Sequence, residues 1–216
     1  EASKLFEDAN KLLLKIIKGK LIKAKAVYGI VKARSKNEEV HILDHDIVFN
    51  FPRQLIDKGS TPNFCLADFI AKDQIDYIGL FSVTAGHGVE HMVNNFELDN
   101  DDYNAIMVKI LADRLVEAAA EWLHEKIRKE IWGYSKDEDF SINELNSENF
   151  LGIRPAPGYP SCPDHREKDK IWQLLDVKNK IGVSLTKSRA MFPTASVCGW
   201  YFSHPKSRYF SVLKNR

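Results

Sequence analysis

Apolar residues recur at helical spacing from the start of the chain. Leu5, Phe6, Ala9, Leu12, Leu13, Ile16 and Ile17, with charges between them, predict an amphipathic helix ended by Gly19. Residues 24–33, rich in Val, Ile and Tyr, and residues 40–43 predict two strands, joined across the polar stretch 34–39 as a hairpin with a longer loop. Residues 46–51 form a third apolar run closed by Pro52, and 59–63, with Pro62, read as a loop. The run 77–84 reads as a buried strand and 87–96 as a helix. Asp101 or Asp102 suits the cap of the next helix. There Ile106, Ile110, Leu111, Leu115, Leu123, Ile127 and Ile131 keep one period over 103–132, about 45 Å of helix ending at Gly133.

Residues 141–146 predict a short helix. Asp164, with Glu167 three residues on, has the pattern of a capping box for a helix reaching Asp176. The last third reads as strands over 181–185, 195–203 and 209–213, with 204–206 as a hairpin turn between the last two. Strands towards both ends with helices between them predict an α+β fold whose largely antiparallel sheet is closed by both termini.

The 216 residues suit one domain more simply than two. Hydrophobic residues at 44% and charged residues at 28% are globular values that permit a sizeable core. A net charge of +1 gives no reason to expect a nucleic-acid or anionic-membrane partner, and no run approaches the roughly 18 apolar residues of a membrane span. Cys65, Cys162 and Cys198 are odd in number and widely spaced, which argues against a disulfide framework or a structural zinc and for a reducing cytoplasmic compartment. The first residue is Glu and no charged-then-apolar leader precedes the fold, so a processed protein or a piece of a longer one is expected.

Residues 152–165 carry the strongest chemical signal. Pro155, Pro157, Pro160 and Pro163 each fix a φ angle and bias the residue before them towards extended geometry, so the loop is stiff before any ligand arrives. Gly158 lets the backbone turn or lets a ligand approach. Arg154 can grip a carboxylate with two parallel hydrogen bonds, and Tyr159 offers a ring and a hydroxyl. By composition alone the same loop also reads as a rigid surface connection.

The string R-P-A-P-G-Y-P-S-C-P-D-H at 154–165 resembles the signature of the activation domain of cobalamin-dependent methionine synthase. So do C-L-A-D-F-I-A at 65–71, D-Y-I-G-L-F-S-V-T at 76–84, D-D-Y-N-A-I-M-V-K at 101–109, A-D-R-L-V-E-A-A-A-E-W-L-H-E at 112–125 and A-S-V-C-G-W-Y-F-S-H-P at 195–205. Residues 1–60 match less clearly. The resemblance implies one C-shaped α+β domain, with a twisted sheet, a long central helix and flanking helices, that binds S-adenosylmethionine in a surface groove. Carried over position by position, Arg154, Ala156, Gly158 and Tyr159 become ligand contacts within the loop. Asp68 and Glu117 become acidic contacts, and Tyr209, with Phe210 beside it, an aromatic one. The implied role belongs to methionine biosynthesis: the domain presents the methyl group for reductive methylation of an oxidised cobalamin. That cofactor is held on the cobalamin-binding domain, and a flavodoxin-type or flavoprotein donor supplies the electron. No residue acts as a catalytic acid or base, and no metal ligand is implied.

Two rivals remain. One is a regulatory domain that senses S-adenosylmethionine without giving up its methyl group. The other is a zinc hydrolase, because His87, Glu90 and His91 fit H-x-x-E-H on a predicted helix. Asp68 as a cap residue, Glu117 on an exposed helix face and 126–129 as a solvated helix face are the structural readings of those positions.

Overall fold

The structure is a computed structural model that describes residues 2–55, 62–147 and 149–212. In chain order it holds α1 (Ala2–Gly19), β1 (Lys23–Lys36), β2 (Glu39–Ile42), β3 (Ile47–Asn50), β4 (Asp76–His87), α2 (Val89–Leu98), α3 (Asp102–Lys126) and α4 (Ile142–Asn146). Next come α5 (Glu167–Leu175), α6 (Val177–Ile181), β5 (Ser184–Leu185), β6 (Met191–Phe192) and β7 (Ser196–Tyr201). A mixed helix-and-sheet fold is what the patterning predicts. The antiparallel main sheet has the order β3-β2-β1-β4-β7, and β5 pairs with β6 in a separate ribbon.

Contacts divide the chain into two compact units. The first comprises Glu1–Val27, Ser82–Trp122 and Val177–Val197. Its core is formed by Leu12 and Ile16 of α1, Met92 and Val93 of α2, and Ala105, Met107 and Val108 of α3, with Ala9, Val89, Phe96 and Leu111 around them. The apolar stripe of α1 is wider than its buried face: Phe6 and Ile17 stay largely exposed.

The second unit comprises Tyr28–Phe81, Leu123–Asp176 and Cys198–Arg216. Alternation along β3 and β7 sends aromatic rings to one side, where they pack edge to face. Trp200 meets Phe49 at 5.5 Å and Phe51 at 4.9 Å between ring centroids. Phe202 meets Phe51 at 5.9 Å and Phe69 at 6.2 Å.

Several local expectations change. The β1–β2 connection is a tight turn, not a longer loop: Lys36 pairs with Glu39, and Asn37 takes a left-handed φ of 57°. The polar residues 34–36 therefore belong to the ladder, because strand pairing does not depend on hydrophobicity at its solvent end. Asp101 precedes α3, and its carboxylate accepts the Asn104 N–H at 3.0 Å, as a cap should. The expected capping box at 164–167 does not form. Asp164 accepts the Arg166 N–H at 2.8 Å, while Glu167 is buried and accepts from Asn50 N and Lys170 instead. Residues 209–212 are not a strand, 181 ends a helix, and β6 was not anticipated. The C-terminal segment is held by Val212 N–H donating to Pro160 O and Gln54 Nε2 donating to Ser211 O, which replace a ladder. Most of the expected loop 59–63, and the end of the expected strand at 213, lie outside the described residues.

The long helix also departs from expectation. After Lys126 its winding loosens to a π-helical segment, Ile127–Ile131, and both Trp132 N and Gly133 N donate to Ile127 O. Arg128, four residues on from buried His124, continues the buried row of Ala112, Val116, Ala120 and His124 and is 1% exposed. The stretch 126–129 is therefore not an ordinary solvated face. Arg128 Nε lies 2.9 Å from both Glu138 carboxylate oxygens, and its guanidinium carbon sits 4.0 Å over the Phe150 ring. One turn earlier, fully buried His124 stacks on Tyr201 at 5.0 Å and meets Phe150 edge-on at 5.1 Å. Burial first, then the positive charges of Arg128 and Arg154, push the His124 imidazole well below its ordinary value of 6.5, so it is neutral.

Two predictions follow from this packing. Phe51→Ala should cost about 3–5 kcal/mol in urea denaturation, since it opens a cavity between Trp200 and Phe202. For His124 the unfolded ring takes up a proton near 6.5 and the folded ring does not. Its contribution to stability is thus complete above that pH and falls as pH drops below it, by at most about 1.4 kcal/mol per pH unit. Melts at pH about 7.5 and 5.5 should show this loss in the parent protein and a smaller one in His124→Phe; equal losses would refute the assignment.

Candidate functional site

The proline loop is built onto the edge strand β7 of the second unit. Ile153 and Phe202 exchange backbone hydrogen bonds at 3.0 Å in both directions, and Trp200 N–H donates to Pro155 O at 3.0 Å. The prolines cannot donate, so the loop meets the strand by offering carbonyls. Beyond Pro157 the chain reverses: Gly158 N donates to Cys162 O at 2.8 Å, and Cys162 N to Tyr159 O at 2.9 Å. Gly158 has φ +94°, and the space a Cβ would take is filled by the His165 ring 2.1 Å away. Of its two anticipated uses, the turn is the one seen, and His165 packs where a side chain would stand.

This construction leaves Tyr159 60% exposed and Arg154 and Ala156 half-buried. Tyr209, 45% exposed, accepts the Arg154 backbone N–H on its hydroxyl at 3.0 Å. Phe210 is half-buried, with Phe64 at 5.9 Å and Phe69 at 6.5 Å. Its ring belongs to the aromatic packing, and no hydroxyl is needed there. Arg154, Ala156, Gly158, Tyr159, Tyr209 and Phe210 thus all lie in the second unit, with Asp68.

Asp68 closes a short 3-10 turn, Leu66–Phe69, by accepting the Cys65 N–H on Oδ2 at 3.0 Å. Arg53 grips the same carboxylate in a fork, with Nη1 2.7 Å from Oδ2 and Nη2 2.8 Å from Oδ1. Burial works to raise the Asp68 carboxyl, but the bonds from Arg53 and the Cys65 amide outweigh it and hold the group below the ordinary carboxylate range. The cap reading is therefore correct as far as local structure goes. Arg53 is a site residue that the sequence does not reveal, since an Arg after Pro52 carries no pattern of its own. Among the described residues Oδ1 of Asp68 receives a single bond, so it can accept another.

Glu117 lies on an exposed face of α3 in the first unit. In that unit His87 is committed to structure, its Nε2 2.6 Å from Ile181 O, while His91 is exposed and lies 3.4 Å from Asn95 Nδ2. Among the described residues no group of three or more His, Cys, Asp or Glu could hold a metal ion, and the hydrolase reading has no site. A cavity of about 530 Å³ in the same unit is lined by Gly86, His87, Val93, Lys109, Phe192 and Pro193 among others, and contains none of the anticipated contacts. Among the described residues no helix is long and apolar enough to cross a membrane. All three cysteines are free and buried, and desolvation pushes Cys65 up to about 11 and Cys162 and Cys198 up to about 12. None is a thiolate nucleophile at neutral pH.

Residues 1–215 match the family model described as "Vitamin B12 dependent methionine synthase, activation domain". The chain is also similar to a crystal structure of the MetH reactivation domain bound to AdoHcy, with 48% identity and a TM-score of 0.95, over 98% of this chain and 68% of that one. The family implies a cobalamin-binding partner domain. With the proline loop seated on β7 and the match running through nearly every residue, the chain belongs to the activation-domain family of vitamin B12-dependent methionine synthase, a methyltransferase.

Proposed function

We propose that this chain acts as one domain, binds S-adenosylmethionine along the loop 154–159, and presents its methyl group to a cobalamin-binding domain for reactivation. The observation that carries this reading is the AdoHcy bound by a structural neighbour 48% identical over almost the whole chain. The donor set fits an amino-acid nucleotide. The Arg154 guanidinium is matched to the ligand carboxylate. The open lone pair of Asp68 Oδ1 suits the ammonium, with Arg53 fixing the carboxylate's orientation. The carbonyl of Ala156, which accepts the Tyr159 N–H and keeps a second lone pair, lies on the same stiff backbone as Gly158, whose amide is taken up by Cys162 O. Tyr209 and Tyr159 supply exposed rings, Phe210 beside Tyr209 is a further aromatic contact of the reading, and Glu117 enters it only as the acidic contact that the resemblance implies.

When bound, reduced cobalamin supplies the nucleophile for the methyl carbon, and S-adenosylmethionine supplies the sulfonium leaving group. The chain itself has no proton to move. Its residues hold the amino-acid end, stiffen the loop before binding, and keep Tyr159 exposed on the side we assign to the corrin. The contribution is proximity and orientation, which needs few chemical groups and a rigid support. Electron delivery by a flavodoxin-type or flavoprotein donor, in a reducing cytoplasm, completes the reading.

Arg154→Ala should weaken S-adenosylmethionine binding by about 2 kcal/mol or more, the loss of a charge-assisted pair, while the free protein keeps its fold. Isothermal titration of both proteins checks this, and equal affinities would end the Arg154 assignment. Asp68→Ala should behave differently. It leaves Arg53 without its fork partner and the 3-10 turn without its cap, so denaturation should show a loss of about 1.5–3 kcal/mol together with weaker binding. Methyl-labelled ligand incubated anaerobically with reduced cobalamin domain should place label on cobalt; binding without transfer would leave sensing as the function.

A further inference from the structure

The buried polar cluster at the end of α3 does more than close the core. Tyr134 follows the π-helical segment and Gly133, and its hydroxyl lies 3.4 Å from His124 Nε2. On its other side that hydroxyl stands 2.7 Å from the place a Cβ would occupy on Gly152. The carbonyl of Phe202 lies at the same 2.7 Å from that point. Gly152, at φ +88°, is thus pressed between Tyr134 and the end of β7. Only a residue without a side chain fits there. Ile153 then pairs with Phe202, and Arg154 follows with its backbone N–H on Tyr209.

We propose that Tyr134 is a positioning residue for the carboxylate end of the ligand site: its hydroxyl sets the level of Gly152, and through it the point from which Arg154 reaches. This inference rests on the reading of Arg154 as the carboxylate-binding residue. Tyr134 is itself held by its neighbours. Its ring meets Trp132 edge-on at 5.4 Å, His124 is fixed between Tyr201 and Phe150, and Phe150 is covered by the guanidinium of Arg128. The electrostatics agree with close quarters. Arg154 is near enough to contribute to the neutral state of His124, and Tyr209 near enough to help raise the Tyr134 phenol, for which burial is the main cause. Among the described residues His124 Nδ1 and Arg128 Nη1 are buried without hydrogen-bond partners, so the cluster tolerates unsatisfied polar atoms beside the site. Such groups are retained in a native core where position matters more than stability.

The test compares S-adenosylmethionine with its decarboxylated analogue, which keeps the adenosine, sulfonium and ammonium and lacks only the group that Arg154 grips. Tyr134→Phe removes one oxygen. Titration calorimetry should show S-adenosylmethionine bound about tenfold more weakly, with affinity for the decarboxylated analogue and the melting temperature of the free protein unchanged. A purely structural role would lower both affinities or the melting temperature. Equal weakening of both ligands, or no weakening of either, overturns the proposal. Should Tyr134→Phe fail to fold, His124→Phe keeps the ring stack and removes Tyr134's polar neighbour, and the same selective loss is expected. Failure of the parent protein to bind S-adenosylmethionine would instead refute the ligand reading itself.

Discussion

An edge strand must satisfy backbone groups that no further strand will pair, and in this protein the proline loop meets that need at β7. Ile153 and Pro155 supply the partners for Phe202 and Trp200. The arrangement suits a segment with four prolines, because the strand needs acceptors as much as donors and a proline carbonyl is as good an acceptor as any. The consequence is functional. A loop that would otherwise be free to wander is tied at two points to the aromatic floor of its unit, where Trp200 and Phe202 are fully buried. Ordering cost is thereby met at folding, before a ligand arrives.

The same support explains the distribution of polarity around the loop. The groups offered to solvent include half-buried Arg154, the rings of Tyr159 and Tyr209, and exposed His165. The groups behind them are paired or neutral. Arg128 is matched by Glu138 at 1% and 3% exposure, His124 is held uncharged, and Asp68 is gripped by Arg53. Glu138, the carboxylate of this cluster, is thus engaged by Arg128. A site whose work is orientation requires this quiet background more than it requires reactive groups.

Much of the candidate site was legible as residue identities and much less as geometry. Arg154, Tyr159 and Tyr209 could be named because they stand in or near strings resembling a family. The bond from Arg154 N–H to the Tyr209 hydroxyl spans 55 residues and leaves no trace in spacing. Asp68 was named too, yet nothing in its sequence pointed to Arg53. Arg128 was misread outright. Its charged neighbours in sequence suggest a solvated face, but four-residue spacing from Ala120 and His124 puts it on the buried one, where Glu138 and Phe150 receive it. Capping patterns were an uneven guide for a similar reason. Asp101 caps as its local sequence suggests, and Ser141 caps a helix for which no cap was named. Glu167 was instead drawn away to a distant backbone amide at Asn50.

The chain by itself determined the elements with long, regular periods: α1, β4 and the greater part of α3, together with the stiffness of residues 152–165. These follow from short-range terms, helix spacing, strand alternation and proline's fixed φ, which depend on neighbours a few residues away. Tertiary structure decided the tight β1–β2 turn, the loss of a strand at 209–212, the pairing of buried Arg128 with Glu138 and the level of Gly152 between Tyr134 and Phe202. Each of these is settled by hydrogen bonds and packing between residues far apart in sequence, whose energies outweigh the small local preferences of the segments they join.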